Sequence, residues 1–303
     1  MRISSNGLFD ASVSRLNDLQ SKLDKIAQQV SSGRKLANPS EDPVVAGRTL
    51  ELTQSQAINQ QYTRNREFAK NTLGVVDGTL TGISDTLQSI NEQVVAAGSG
   101  AISVNDRLTI ATILKGHRDQ LLSLANTTDG AGNYLLSGTK TDKPAFVEDT
   151  MGVIGIYQGD PTQSAIQVDN ARTLVTSVTA DSLFGADAAF FTGLDSLMTA
   201  LNDPTTTATD LQTALNTFSG QVSTSFDNVT NAQMSVGIRM QQIDEMDKSG
   251  ASREAQFTES LSALQDLDYN KALSDLSRQQ LVLQAAQKTF AQLSDMSLFN
   301  FLK

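Results

Sequence analysis

Leu16-Asn-Asp-Leu-Gln-Ser-Lys-Leu-Asp-Lys-Ile-Ala-Gln-Gln-Val-Ser-Ser-Gly-Arg-Lys-Leu-Ala-Asn-Pro-Ser-Glu-Asp-Pro43 sets the architecture of this chain. Its first half spaces Leu16, Leu19, Leu23, Ile26 and Val30 by three or four residues, which lays a narrow apolar stripe along a helix. Its second half ends that helix at Gly33, Pro39 and Pro43, and Asp42-Pro43 supplies an N-cap and a first helical residue for the next one. The far end repeats the stripe with Ala272, Leu276, Gln279, Leu283, Ala286, Phe290 and Leu293. A stripe this narrow is hidden only by another helix, so the ends are expected to pair with each other or with copies of the protein. That points to assembly rather than catalysis.

Between the ends the pattern predicts a long helix over 44–97, with a seam at Ala69, Leu73, Val76, Leu80, Ile83, Leu87, Ile90 and Val94 and a stop at Gly98-Ser-Gly100. A third helix, 105–127, places Ile110, Leu114, His117, Leu121 and Leu124 on its seam. Short connections make these helices antiparallel neighbours. From Asn133 the chain turns β-branched and turn-rich at 134–141, 153–157, 165–168 and 172–178, with 158–163 reading as a hairpin connection and a short helix before Pro204. Helical spacing returns at Leu211, Leu215, Phe218, Val222, Ser225, Val229, Ala232 and Val236, and a break is expected at Ser249-Gly250. The expected fold is mainly α with a small β-rich insertion: an elongated helical bundle built from both chain arms, its terminal helices forming a coiled coil. Residues 1–43 and 266–303 would be the terminal helices, 44–139 and 205–265 the inner bundle, and 140–204 an outer β-rich domain.

Composition agrees with a bundle. The 303 residues are 39% hydrophobic but only 5% aromatic, with no Trp and no Cys. Cysteine-free, the chain can hold no disulfide framework and no thiolate site. Of the net charge of −10, residues 141–235 contribute most, with eleven acidic residues against Lys143 and Arg172. Such acidity disfavours nucleic acid and anionic membranes as partners. No apolar run approaches the length of a membrane span, and residues 1–10 lack the apolar core of a cleaved signal peptide.

Each candidate for chemistry has a simpler reading. His117, the one histidine, falls on an apolar helix seam. Asp266-Leu-Asp-Tyr-Asn270 begins like a calcium loop, but Lys271 and Ser277 stand where Gly and Glu are required, so a solvated helix break is expected. Glu41 and Asp42 are adjacent and suit capping better than a catalytic pair. Gly130-Ala-Gly132 follows a helix and is too short for a phosphate loop. Gly74, Gly78 and Gly82 suggest close helix approach or bending. No catalytic, cofactor-binding or metal-binding residue is assigned, and no enzyme is expected.

Gln29-Val-Ser-Ser-Gly-Arg-Lys-Leu-Ala-Asn-Pro-Ser-Glu-Asp-Pro43 resembles the segment that links the outer coiled-coil helix to the inner bundle in the flagellin superfamily. Met1-Arg-Ile-Ser, the Pro-Ser-Glu-Asp-Pro form of that loop, Gly132-Asn-Tyr-Leu-Leu-Ser-Gly-Thr-Lys-Thr141 and Ser297-Leu-Phe-Asn-Phe-Leu302 are similar to its hook-filament junction branch. Glu41 replaces the commoner Asp of the family's acidic pair. The resemblance implies a structural adaptor, exported through the flagellar type III apparatus with a chaperone's help and without a cleaved signal peptide. It would form a ring of its own copies between hook-associated protein 1 and flagellin, with no nucleic acid and no membrane insertion. The implied assembly interface is Leu16, Leu19, Leu23, Ile26, Val30, Leu276, Leu283, Ala286, Phe290, Leu293, Leu298 and Phe299. The implied linker motif is Ser31, Ser32, Gly33, Arg34, Pro39, Glu41, Asp42 and Pro43. Gln20 and Gln279 weaken the terminal stripes, so the free ends are expected to order only on docking. Two other readings stay open: a filament-forming flagellin, and an enzyme or binding module in the β region.

Overall fold

The computed structural model describes the backbone of residues 5–99, 102–150 and 152–301, and side chains within that range up to residue 292 except those of residues 5, 6 and 8. Seven helices and one hairpin are formed among them: α1 Ser5–Ser32, α2 Pro43–Ala97, α3 Val104–Ala125, β1 Ala165–Asp169, β2 Arg172–Val175, α4 Ala180–Phe184, α5 Ala189–Asn202, α6 Ala208–Gln265 and α7 Tyr269–Phe301. By contact density the chain forms two compact units, residues 1–59 with 251–303, and residues 60–250. The first, built from the chain ends, is described with the assembly interface below.

In the 60–250 unit, the α2 seam from Ala69 to Val94 is buried at all eight expected positions, none more than 4% exposed. On α6, Leu211, Leu215, Phe218, Val222, Val229, Val236 and Ile243 are buried as the spacing requires. The expected break at Ser249-Gly250 does not occur, because α6 continues through it to Gln265. Gly250 is buried there, and a helix of this length absorbs the roughly 1 kcal/mol that one interior glycine costs. On α3 the seam runs through Ile110, Leu114, Arg118 and Leu121; His117 sits half-buried beside it. The four-residue step from Leu114 lands on Arg118 as readily as the three-residue step lands on His117, and the carboxylates of Glu148 and Asp195, brought in from later segments, make the arginine tolerable. Of the spaced glycines, Gly82 is a close approach, since a Cβ would meet Leu124 at 3.2 Å, whereas Gly74 and Gly78 face open space.

The middle of the chain holds fewer strands than its β-branched stretches suggest. Among the described residues only 165–169 and 172–175 pair as strands, antiparallel with a register shift at Gln167/Asp169. Asn65 Nδ2 on α2 donates to Gln167 O at 2.7 Å, and Arg66 Nη1 donates to Val168 O at 3.1 Å, which docks the hairpin on the helix. Residues 134–141 and 153–157 make turns and single bridges instead. Gly132, Gly138 and Gly152 take positive φ and bend the chain before a strand can grow. The 158–163 segment is not a hairpin connection: Asp160 N bonds Ser137 O, and Asp160 Oδ1 accepts from Thr162 N at 2.7 Å. What fills this region is aromatic packing between helices and loops, in which Phe146 meets Phe184 and Phe191, and Phe190 meets Phe218 of α6.

Candidate assembly interface

The unit of residues 1–59 and 251–303 is organised by α1 lying against α7. Rings of Phe9 and Phe290 stand 5.1 Å apart, and Gln279 Nε2 donates to Leu19 O at 3.4 Å. Ala272 and Leu283 are buried. Leu16, Leu19, Leu23, Ile26, Val30, Leu276, Ala286 and Phe290 are only half-buried. The side chains of Leu293, Leu298 and Phe299 lie outside the described residues. The two terminal stripes thus meet within one chain, but two helices cover a stripe from one side only.

A clasp closes the unit where α1 ends and α7 begins. Gly33 N bonds Gln29 O at 2.9 Å and ends α1 with φ +69°. Its carbonyl accepts from Leu267 N at 3.0 Å, while Lys35 N donates to Gln265 O at 2.8 Å, so a short antiparallel bridge joins Arg34 to Asp266. Lys35 Nζ adds a bond to Ala263 O at 2.8 Å. A Cβ on Gly33 would stand 2.8 Å from Tyr269 Oη, so both the backbone angle and the neighbour require glycine. Ser32 Oγ donates to Gln29 O. Ser31 is exposed.

Beyond the clasp, Pro39–Glu41 form one 3-10 turn. Glu41 pairs with Lys25 at 3.0 Å and ties the linker back to α1. Asp42 Oδ1 accepts from Val44 N and Val45 N at 3.1 and 3.0 Å, and Pro43 is the first residue of α2. The acidic pair therefore works as an ion-pair tether and a helix cap. Asp268 caps α7 in the same way through Lys271 N at 3.1 Å. The solvated helix break expected over 266–270 falls between α6 and α7, but its spacing gives no role to Asp268 or Tyr269, and the linker pattern gives none to Lys35. Asp268 carries a legible signal, an acidic residue just before a periodic run. Nothing local marks Tyr269.

Charged clusters elsewhere have structural uses. Arg118, 2% exposed, bonds Glu148 at 2.9 Å and Asp195 at 2.7 Å and reaches the Gly152 carbonyl, which straps the 146–154 loop to α3 and α5. Burial raises the Asp195 pKa above the ordinary value, with Arg118 pulling it the other way. Among the described residues no group of three or more His, Cys, Asp or Glu could hold a metal ion, and no helix is long and apolar enough to cross a membrane.

Chain ends that form one helix pair, with two long helices α2 and α6 that contribute to one buried core, define the class: a mainly α protein built from both ends of its chain. Residues 3–141 match the bacterial flagellin N-terminal helical region, and residues 198–302 match the bacterial flagellin C-terminal helical region. Over the full length of both proteins, the chain is 32% identical to flagellar hook-associated protein 3 of Escherichia coli. It is also 32% identical to that of Salmonella typhimurium over 99% of each. The crystal structure of flagellar hook-associated protein 3 from Legionella pneumophila shares the fold, with a TM-score of 0.64 and 17% identity over 70% of this chain and 98% of that one. The chain belongs to the flagellin family, on its hook-associated protein 3 branch.

Proposed function

We propose that this protein is a structural adaptor at the hook-filament junction of the bacterial flagellum. It forms a ring of its own copies that sits on hook-associated protein 1 and receives flagellin, and it performs no catalysis. Full-length similarity to hook-associated protein 3 supports the location. The mechanism rests on one observation: the inner seam of α2 is buried at every position, whereas most of the terminal seam stays half-exposed after α1 and α7 have paired. A seam in that state gains apolar burial when neighbours close over it, so docking and final ordering of the ends are coupled. The interface residues are those of the two stripes, and the linker motif holds them in place.

Export fits the same frame. The chain leaves the cell through the flagellar export apparatus, accompanied by a chaperone.

The alternative of a self-polymerising flagellin is separated by a seeding assay. Purified protein should fail to extend filaments of itself, and expression in a strain lacking its own hook-associated protein 3 should restore filaments on hooks. Filament growth from the purified chain alone would favour flagellin instead.

A further inference from the structure

The three most exposed large apolar side chains among the described residues are Val44 at 80%, Leu50 at 69% and Leu281 at 67%. All three belong to the unit built from the chain ends. Leu50 lines a cleft of ≈ 500 Å³ together with Leu36, Ala37, Pro39, Val45 and Leu264, and Val44 precedes Val45. Leu281 lies two residues before the seam residue Leu283, which puts it on the far side of α7 from α1. Pairing within the chain cannot cover it.

Charge identifies what can. The end unit carries twelve acidic and twelve basic residues, a net of zero, while residues 60–250 carry twenty-one acidic against eleven basic, the whole −10. Copies that meet through the end unit bring no net like charge together. Copies that meet through the other unit set −10 against −10. Apolar knob and apolar cleft on one neutral unit are therefore self-complementary. We propose that the linker cleft is the socket for Leu281 of a neighbouring copy. Knob and socket are different patches, so in the ring each copy gives its knob to one neighbour and its socket to the other, a heterologous contact.

The inference rests on the ring in the proposed function, and its test separates the two. The chain has no cysteine, so Leu50→Cys and Leu281→Cys give clean single-cysteine variants. Mixed on isolated hooks capped by hook-associated protein 1 and then oxidised, they should yield a two-chain disulfide joining positions 50 and 281, about tenfold above either variant alone. A yield no higher than with one variant, or residue 50 joined to another protein, overturns the socket. Leu281→Glu should lower retention on hooks about thirtyfold, the scale of a buried anchor, with the free chain's circular dichroism unchanged. Undiminished retention overturns the proposal, and so does a loss of helix in the free variant, which would place Leu281 inside the chain's own fold. Failure of the unmodified chain to bind hooks would instead count against the junction reading.

Discussion

Gly33 is the residue on which the terminal clasp turns. Its φ of +69° costs most side-chain-bearing residues about 1–2 kcal/mol, and a Cβ would also press on Tyr269 Oη. Gly33→Ala should therefore speed amide exchange at Leu267 and Lys35, whose bonds form the clasp, while Gly33→Asn does less harm because asparagine tolerates this backbone. Equal exchange in Gly33→Ala and the native chain would remove the clasp from the account. Asp42→Ala should cost about 1 kcal/mol, read as faster exchange at Val44 and Val45. Arg118→Met is the harsher change. It leaves Asp195 half-buried without its cation, at about 2–3 kcal/mol after discounting for partial exposure. The sign with pH follows from burial, which already raises the Asp195 pKa. Removing Arg118 takes away the opposing pull, so the folded value rises further. Stability from protonated Asp195 is present at low pH and is lost as pH rises through that value. Urea unfolding should show the largest deficit near pH 7 and a smaller one near pH 4. A deficit that grows on acidification would contradict this.

At the scale of elements, Leu283→Asp tests the terminal pair. Leu283 is 8% exposed against α1, so the aspartate should open α1 and α7 in the free chain. Circular dichroism should lose the helix of both ends, while the thermal transition of residues 60–250 stays in place. Unchanged helicity would mean that α1 and α7 do not depend on each other in the free protein. That expectation differs from the reading of the sequence alone, in which the ends ordered only on docking. Spacing showed that Leu283 needs a partner, but not that the partner would come from the same chain. The other helices were legible for the same reason that they are stable. Long runs with apolar residues every three or four places leave one solution, and α2 and α6 bury what the pattern assigns. Where two spacings compete, local pattern stops deciding, as at His117 and Arg118, where the outcome depends on Glu148 and Asp195 from distant segments. The middle region was least legible, because β-branched residues favour strands only where the backbone can extend. Positive-φ glycines and the Phe146 cluster turned most of it into loops and helices. Of the candidate site, the stripes and the cap at Asp42 could be read directly. Tyr269 and the Lys35 bonds could not, since they come from segments more than two hundred residues apart.

For the whole molecule, the middle region is part of the 60–250 core rather than an appendage. Phe190 packs on Phe218 of α6, and Arg118 on α3 holds the loop and α5. Replacing residues 145–200 by a Gly/Ser linker should therefore uncover Leu114, Leu121 and Phe218 and cost several kcal/mol, seen as a lowered and broadened thermal transition. A cooperative transition at the native temperature would show that the region is separable. The central claim, that this chain joins hook to filament, is tested most directly by immunogold labelling of isolated hook-basal bodies with filaments attached. A junction adaptor gives one narrow band of label at the hook-filament boundary; label running along the filament, or none at the boundary, would rule that role out.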